Sequence, residues 1–173
     1  MALGFLFSAM GDSFLMQNDS LLFFILGLGS FAIAHVFFTI AFFKNSSFNK
    51  KLFWRLSFPL ATCLIGYDVF MYIYLTNQDG FPEDKRIPVI AYMLVISAMT
   101  FAASMRDKTS LKSYIVGLVG ACVFVASDSV LSNSIFVPGF SCKLVSLIIM
   151  VTYYSAEYLI FISSLLHYDY LEE

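Results

Sequence analysis

Charged residues are scarce in this sequence. They make up 13% of its 173 residues, whereas 60% are hydrophobic. Soluble domains have roughly 45–50% apolar and about 25% charged residues, so a water-soluble fold of this length could not bury so much apolar surface. The composition excludes an ordinary soluble domain and indicates a membrane protein, in which helices are the default because they satisfy their own backbone groups.

The sequence also lacks residues that several functional classes need. Its net charge is −2, which leaves no basic excess for nucleic acid. Its three cysteines are widely spaced, without a CxxC pair, and it has only two histidines, so neither disulfides nor a metal centre is indicated. The GxSxG, HExxH and P-loop motifs are absent. We therefore expect no nucleic-acid partner and no metal.

Long apolar stretches predict six membrane-spanning helices. A span needs roughly 17–25 mostly apolar residues. The predicted spans are Met1–Met16, Leu21–Phe43, Leu56–Leu75, Ile87–Met105, Tyr114–Leu131 and Leu144–Leu166. The linkers are short and polar, and none is long enough for a soluble domain. The sequence thus predicts an all-α integral membrane protein, a bundle with one transmembrane domain over residues 1–173.

Two stretches of the sequence match each other. Gly4–Leu15 (GFLFSAMGDSFL) and Gly120–Leu131 (GACVFVASDSVL) both begin with glycine and carry an aspartate eight residues later, followed by Ser-x-Leu. In the next predicted helix of each copy, an Ala-His pair ends at His35 and an Ala-Glu pair ends at Glu157. The copies lie an even number of spans apart, so they insert in the same direction, which favours a parallel internal repeat. Chance similarity between spans rich in Gly, Ser and Leu is the alternative.

Five ionisable side chains lie inside the predicted spans: Asp12, His35, Asp68, Asp128 and Glu157. Such groups cost free energy in hydrocarbon, so their default interpretation is functional, with the side chain facing the bundle interior or a wet cavity. The structural alternative is a polar contact between helices, which contributes only about 0.6 kcal/mol on average. Five such groups in one small bundle favour function.

The depth of these groups leaves open whether they form one site or two. Asp12 and Asp128 lie near the ends of their predicted helices, whereas His35 and Glu157 lie about 14 residues, or about 20 Å, into theirs. Taken literally, this predicts two layers separated by about 10 Å. Tilted or broken helices would bring the layers together.

Tyrosines follow the same helix faces as the acids. Tyr153 and Tyr154 precede Glu157 by four and three residues, and Tyr72 follows Asp68 by four. This spacing places side chains on one face of a helix, where a tyrosine hydroxyl could hydrogen-bond a carboxylate. For any single tyrosine, ordinary aromatic packing is the alternative.

The sequence resembles the YhhN-like family of multi-span membrane proteins, whose characterised members are lysoplasmalogenases. The resemblance is carried by Gly-Asp at Asp12, Ala-His at His35, Tyr-Met at Tyr92, Ser-Asp at Asp128 and Thr-Tyr-Tyr at 152–154, in this order over nearly the whole chain. Two departures stand out. The family usually has eight spans in what would be a four-plus-four repeat, so two helices are expected before Met1, and Glu157 stands where the family more often has Gln.

The resemblance implies an ether hydrolase. Its substrate would be a lysoplasmalogen, a lysophospholipid with a vinyl ether, and its products a fatty aldehyde and glycerophosphocholine or glycerophosphoethanolamine. One protonated and one ionised carboxylate suit this reaction by the logic of glycoside hydrolysis. Asp12 and Asp128 are the predicted catalytic pair, with the acid not assigned, and His35, Tyr154 and Glu157 are predicted supporting residues. The reaction requires no cofactor, and the substrate would enter from the lipid bilayer.

Other functions stay open at this stage. A proton-coupled membrane transporter would also need intramembrane acids and an internal repeat. A truncated, non-catalytic membrane partner would account for the expected missing helices. A location in the endoplasmic reticulum is implied by the family alone, and a homodimer stays open.

Overall fold

Six α-helices and no strand make up the described part of the chain, which confirms the predicted all-α integral membrane protein. This computed structural model describes residues 1–16, 20–44, 46, 49–106 and 110–172, with the backbone alone for 169–172. The helices are α1 (Ala2–Leu15), α2 (Leu21–Lys44), α3 (Lys50–Thr76), α4 (Arg86–Ser104), α5 (Leu111–Phe136) and α6 (Lys143–Glu172).

Five of these helices, α2 to α6, are long and apolar enough to cross a membrane. Helix α1 has 14 residues, about 21 Å at the helical rise, and is shorter than the hydrocarbon core of about 30 Å. Three predicted boundaries are wrong. Helix α3 begins at Lys50 rather than near Leu56, α5 continues to Phe136 rather than ending at Leu131, and α6 continues to Glu172 rather than ending at Leu166.

Local side chains explain where the helices begin. Asn49 accepts hydrogen bonds from the backbone amides of Lys51 and Leu52, and this N-cap starts α3 before its apolar stretch. Ser110 caps α5 in the same way through the amide of Ser113. Within α3, the turns at Phe53–Ser57 are widened to a π-helix just before Pro59, whose ring would clash with the carbonyl four residues earlier in a regular helix.

Close packing at glycines joins the helices into two pairs, α1 with α2 and α5 with α6. A Cβ atom on Gly4 would collide with Phe38 of α2, and a Cβ atom on Gly120 would lie 3.1 Å from Ile160 of α6. Phe38 follows His35 by three residues, and Ile160 follows Glu157 by three. The two pairs therefore pack through matching positions of the predicted repeat.

Helix α4 packs against both pairs, touching α2 on one side and α5 on the other, and α3 packs on the outside of α4. The centre of the bundle is filled by fully buried residues from four helices: Phe38, Phe42, Met99, Phe124 and Ile160. We call the end of the bundle with the α3–α4 and α5–α6 connections the upper end, and the opposite end the lower end.

Candidate functional site

Asp128 is held at the centre of the bundle by a tyrosine from a neighbouring helix. It lies on α5, and the hydroxyl of Tyr92 on α4 donates a hydrogen bond to its Oδ2 atom. The Asp128 side chain keeps 13% of its surface exposed, and that surface lines a cavity. The carboxylate is thus oriented by the protein on one side and open to a ligand on the other.

His35 extends this arrangement from α2. Its Nε2 atom lies 2.9 Å from the Tyr92 oxygen and 3.8 Å from Asp128 Oδ2. The Tyr92 hydroxyl donates its hydrogen bond to Asp128, so its oxygen accepts a hydrogen bond from His35, which assigns the imidazole hydrogen to Nε2. The imidazole is fully buried and stacks edge-on against Phe124, 4.6 Å away between ring centroids. His35, Tyr92 and Asp128 therefore form a continuous chain of hydrogen-bonding groups across three helices.

A second polar group joins α1 to α6. The hydroxyl of Tyr153 donates a hydrogen bond to Glu157 Oε1 at 3.0 Å and also interacts with the carboxylate of Asp12. Ser8, fully buried one turn before Asp12, faces Glu157 without a well-formed hydrogen bond. Asp12 and Glu157 thus lie on either side of one tyrosine.

The two polar groups adjoin each other. Asp12 and Asp128 lie within electrostatic range of one another. Between the groups, the ring of Phe124 lies 4.6 Å from His35 and 5.4 Å from Tyr153. The bundle therefore contains one compound polar site that is shared by both halves of the repeat.

Of the two arrangements that the sequence left open, one site or two layers, the structure has the single site. His35 lies next to Asp128, and Glu157 shares Tyr153 with Asp12. Because α5 continues beyond Leu131, Asp128 lies about 7 Å further from the end of its helix than the predicted boundary implied. The lengths of the side chains account for the rest of the predicted separation between the layers.

A cavity of about 70 Å³ lies beside Asp128, between α2, α3, α4 and α5. Its walls are mostly aliphatic and aromatic, and its polar side chains are Tyr67, Asp68, Tyr92, Asp128, Ser129 and Ser132. The hydroxyl of Tyr67 on α3 donates a hydrogen bond to Ser129 on α5 and so joins the two walls. At about 10–15 Å³ for each water, the cavity has room for a reacting group and a few waters but not for a long alkyl chain.

A second, outer cavity of about 190 Å³ lies between α3 and α4. Asp68 and Met93 line both cavities, so the two cavities are adjacent. The outer cavity is bordered by Val69 and Leu94, both well exposed on the apolar surface of the bundle. An apolar chain in the bilayer could therefore lie against α3 and α4 and reach the inner cavity from the side.

The structure brings together four of the five predicted site residues. Asp12, His35, Asp128 and Glu157 belong to the compound site, whereas Tyr154 points outward with 57% of its surface exposed. Its neighbour Tyr153, four residues before Glu157, holds the inward position. The sequence spacing did not distinguish the two tyrosines, because residues three and four positions apart both share a helix face.

Two features of the site were not apparent from the sequence. Tyr92 is the direct partner of Asp128, but its span contains no acid, and only its place in the family resemblance marked it. Asp68 lines the cavity, while Asp12 does not. Ser97 on α4, rather than Tyr72, faces the Asp68 carboxylate.

Comparison with known proteins identifies relatives of this chain. A sequence model of the YhhN family matches residues 1–164. A Mus musculus protein named lysoplasmalogenase TMEM86B is 28% identical over 158 residues, which cover 91% of this chain and 60% of that protein. A Dictyostelium discoideum protein named lysoplasmalogenase homolog is 28% identical over 154 residues, covering 73% of this chain and 47% of that protein. The chain thus spans about half to three fifths of these relatives. No solved structure matches it significantly.

Proposed function

The chain belongs to the YhhN family, and from that premise we propose that it is a lysoplasmalogenase-like hydrolase of the membrane. The reaction adds water across the vinyl ether of a lysoplasmalogen and releases a fatty aldehyde and a glycerophospho-base. One observation carries the proposal: Asp128 is held by Tyr92 at the wall of an otherwise apolar cavity. The names of the two relatives support the same substrate class.

The chemistry needs a proton donor and then a base at one place. Proton transfer to the vinyl carbon that bears the alkyl chain makes an oxocarbenium-like cation at the carbon next to oxygen. Water adds to that cation and loses a proton, and the resulting hemiacetal expels the glycerol oxygen, which takes up a proton. One carboxyl group can protonate the vinyl carbon as an acid and then accept the proton of the water as a base. A second carboxylate beside it can stabilise the cation.

We assign the proton transfers to Asp128, because it lines the cavity and Asp12 does not. Asp12, next to Tyr153 and Glu157, supplies the second carboxylate and stabilises the developing cation through space. His35 and Tyr92 orient Asp128.

The apolar surroundings suit a lipid substrate. The inner cavity accommodates the vinyl ether and water, and the alkenyl chain extends past Asp68 and Met93 into the outer cavity and the bilayer. Exclusion of bulk water strengthens the electrostatic interactions around the cation. An endoplasmic reticulum location rests on the family resemblance and is tested by co-localisation with a marker of that membrane.

Aldehyde release from 1-alkenyl-glycerophosphoethanolamine by the purified chain in lipid vesicles tests the proposal. General acid–base groups contribute about 10²- to 10⁴-fold, so we expect Asp128→Asn to lose about 10³-fold of the activity and Asp12→Asn about 10²-fold. Asp79→Asn, an exposed position in the α3–α4 connection, is the matched control and should keep full activity. Normal insertion with undiminished aldehyde release in both site variants would refute the catalytic assignment.

A proton-coupled transporter is the second candidate, favoured by the matching contacts of the two helix pairs. It predicts movement of a solute into sealed vesicles without chemical change. Uptake of intact lysoplasmalogen that depends on a pH gradient, with no aldehyde formed, would replace the hydrolase by this function. A non-catalytic membrane partner would show neither activity alone.

A further inference from the structure

A lysine packs against two aromatic rings in the wall of the inner cavity, at the upper end of the bundle. Lys85 ends the 3₁₀ turn before α4, and its side chain is half-buried. Its Nζ atom lies 4.3 Å above the ring of Phe24 and 5.8 Å from the ring of Phe136. Both rings are buried and both line the inner cavity. The protein thus holds the ammonium group against two rings of the cavity wall.

The ammonium group of Lys85 packs on aromatic rings. In the described part of the chain, no carboxylate lies within salt-bridge distance of it. The neighbouring Arg86, by contrast, donates a hydrogen bond to Glu83 at 2.7 Å. Cation–π contacts stabilise an ammonium group and leave its N–H groups free to donate to an anion. Lys85 is therefore a positioned cation with open donor capacity.

The register of α4 relates this cation to the carboxylate. Lys85 precedes Tyr92 by seven residues, which is two helical turns on the same face and a rise of about 10 Å. Tyr92 contacts Asp128 directly. A ligand that carries an anion at one end and its reacting group further down would match this separation, with the flexible lysine side chain adjusting the distance.

A lysophospholipid has this form, since its phosphate and its ether oxygen are joined through the glycerol carbons. We propose that Lys85 binds the phosphate of the lysophospholipid substrate and so sets the vinyl ether at the depth of Asp128. This inference rests on the proposed function and names the residue that would recognise the substrate phosphate. The phosphate is common to choline and ethanolamine lipids, so the contact selects phospholipids over neutral lipids without distinguishing the two headgroups.

The test compares Lys85→Gln with Lys85→Arg and with Lys143→Gln, an exposed lysine at the same end of the bundle. Each is assayed for aldehyde release from 1-alkenyl-glycerophosphoethanolamine and from 1-alkenylglycerol, which lacks the phosphate. A hydrogen bond to a charged group supports a change of about tenfold or more. We expect Lys85→Gln to raise KM for the phospholipid about tenfold with little change in kcat, and to leave the neutral substrate unaffected. Lys85→Arg and Lys143→Gln should resemble the wild type.

Equal losses on both substrates, or the same loss in Lys143→Gln, would overturn the assignment. A binding measurement that needs no turnover separates it from the proposed function: displacement of a fluorescent lysolipid by saturated lysophosphatidylethanolamine or by monoacylglycerol. If the wild type released no aldehyde but preferred the phospholipid, and Lys85→Gln lost that preference, the hydrolase would fail and the phosphate site would stand. If aldehyde were released and Lys85→Gln kept the preference, the phosphate site alone would fail.

Discussion

The α1–α2 pair and the α5–α6 pair have matching residues that make different contacts. Each contributes an aspartate, Asp12 or Asp128, and each has an ionisable residue at the matching place of its second helix, His35 or Glu157. The partners cross over, because His35 of one pair lies next to Asp128 of the other, while Glu157 shares Tyr153 with Asp12. The two halves of the repeat thus complete each other at the centre of the bundle.

A single hydroxyl accounts for much of the difference between the pairs. Tyr153 lies four residues before Glu157, and the matching residue four before His35 is Phe31. Tyr153 bonds the acid of its own helix, whereas Phe31 cannot, and it packs edge-on against Tyr153 at 5.7 Å. His35 takes its hydroxyl partner from Tyr92 of α4 instead. Asp128 lines the inner cavity, and Asp12 does not.

The largest expected difference between the two sides concerns their tyrosines. Tyr92→Phe removes the donor to Asp128 and the acceptor for His35, so we expect aldehyde release to fall about 10²-fold, equivalent to about 2.7 kcal/mol of barrier. Tyr153→Phe affects only the Asp12 side and should lower activity about tenfold. Aldehyde release by equal amounts of inserted protein measures both. Equal effects of the two substitutions would remove the distinction between a cavity-facing and a supporting side.

The next prediction concerns the lower end of the bundle, where hydrogen bonds between polar side chains join α5 to α6. Arg106 is buried and donates hydrogen bonds to the hydroxyl and carbonyl of Ser163, while the Ser113 hydroxyl donates to the Ser163 carbonyl at 2.6 Å. Burial lowers the pKa of Arg106 to about 10, which leaves it charged at neutral pH. Hydrogen bonds to charged groups contribute about 1.5–3 kcal/mol, so Arg106→Ala should lower the free energy of unfolding by about 2–3 kcal/mol.

Thermal unfolding in detergent checks this value, with the exposed Arg55→Ala as control. The sign of a pH effect follows from the lowered pKa. Above about pH 10, Arg106 binds a proton more readily in the unfolded chain than in the folded one. The contribution of Arg106 to the free energy of unfolding therefore rises with pH from about pH 10 upward and does not change with pH near neutrality. An unchanged unfolding temperature for Arg106→Ala would show that the serine contacts alone hold this end.

The smallest expected effect concerns the matching glycines. Gly4→Ala and Gly120→Ala each place a methyl group against the partner helix, and we expect a loss of about 1–3 kcal/mol from the overpacked contact. Gly29→Ala is the control, since a Cβ atom there meets nothing within 4 Å. Thermal unfolding of the three variants measures the effect. A penalty for only one of Gly4→Ala and Gly120→Ala would mean that the pairs do not depend on the same contact.

Much of the fold could be predicted from the sequence. The low charge and long apolar stretches indicated a helical membrane bundle, and the helix positions follow from hydropathy, which depends on nearby residues only. The early start of α3 at Lys50, after its Asn49 cap, shows the limit of that signal, because helix ends depend on single side chains as much as on average hydropathy.

Composition and local pattern by themselves determined that this protein lies in the membrane as helices, that acids lie within its spans, and that two stretches repeat. The tertiary structure decided which of these groups meet. Tyr153 rather than Tyr154 turns inward, Tyr92 holds Asp128, His35 lies next to the aspartate of the other half, and Lys85 packs on Phe24. The reason is physical. Burial in lipid is a property of a segment, whereas contact between side chains depends on the rotation, tilt and relative height of whole helices, which are set by packing against distant parts of the chain.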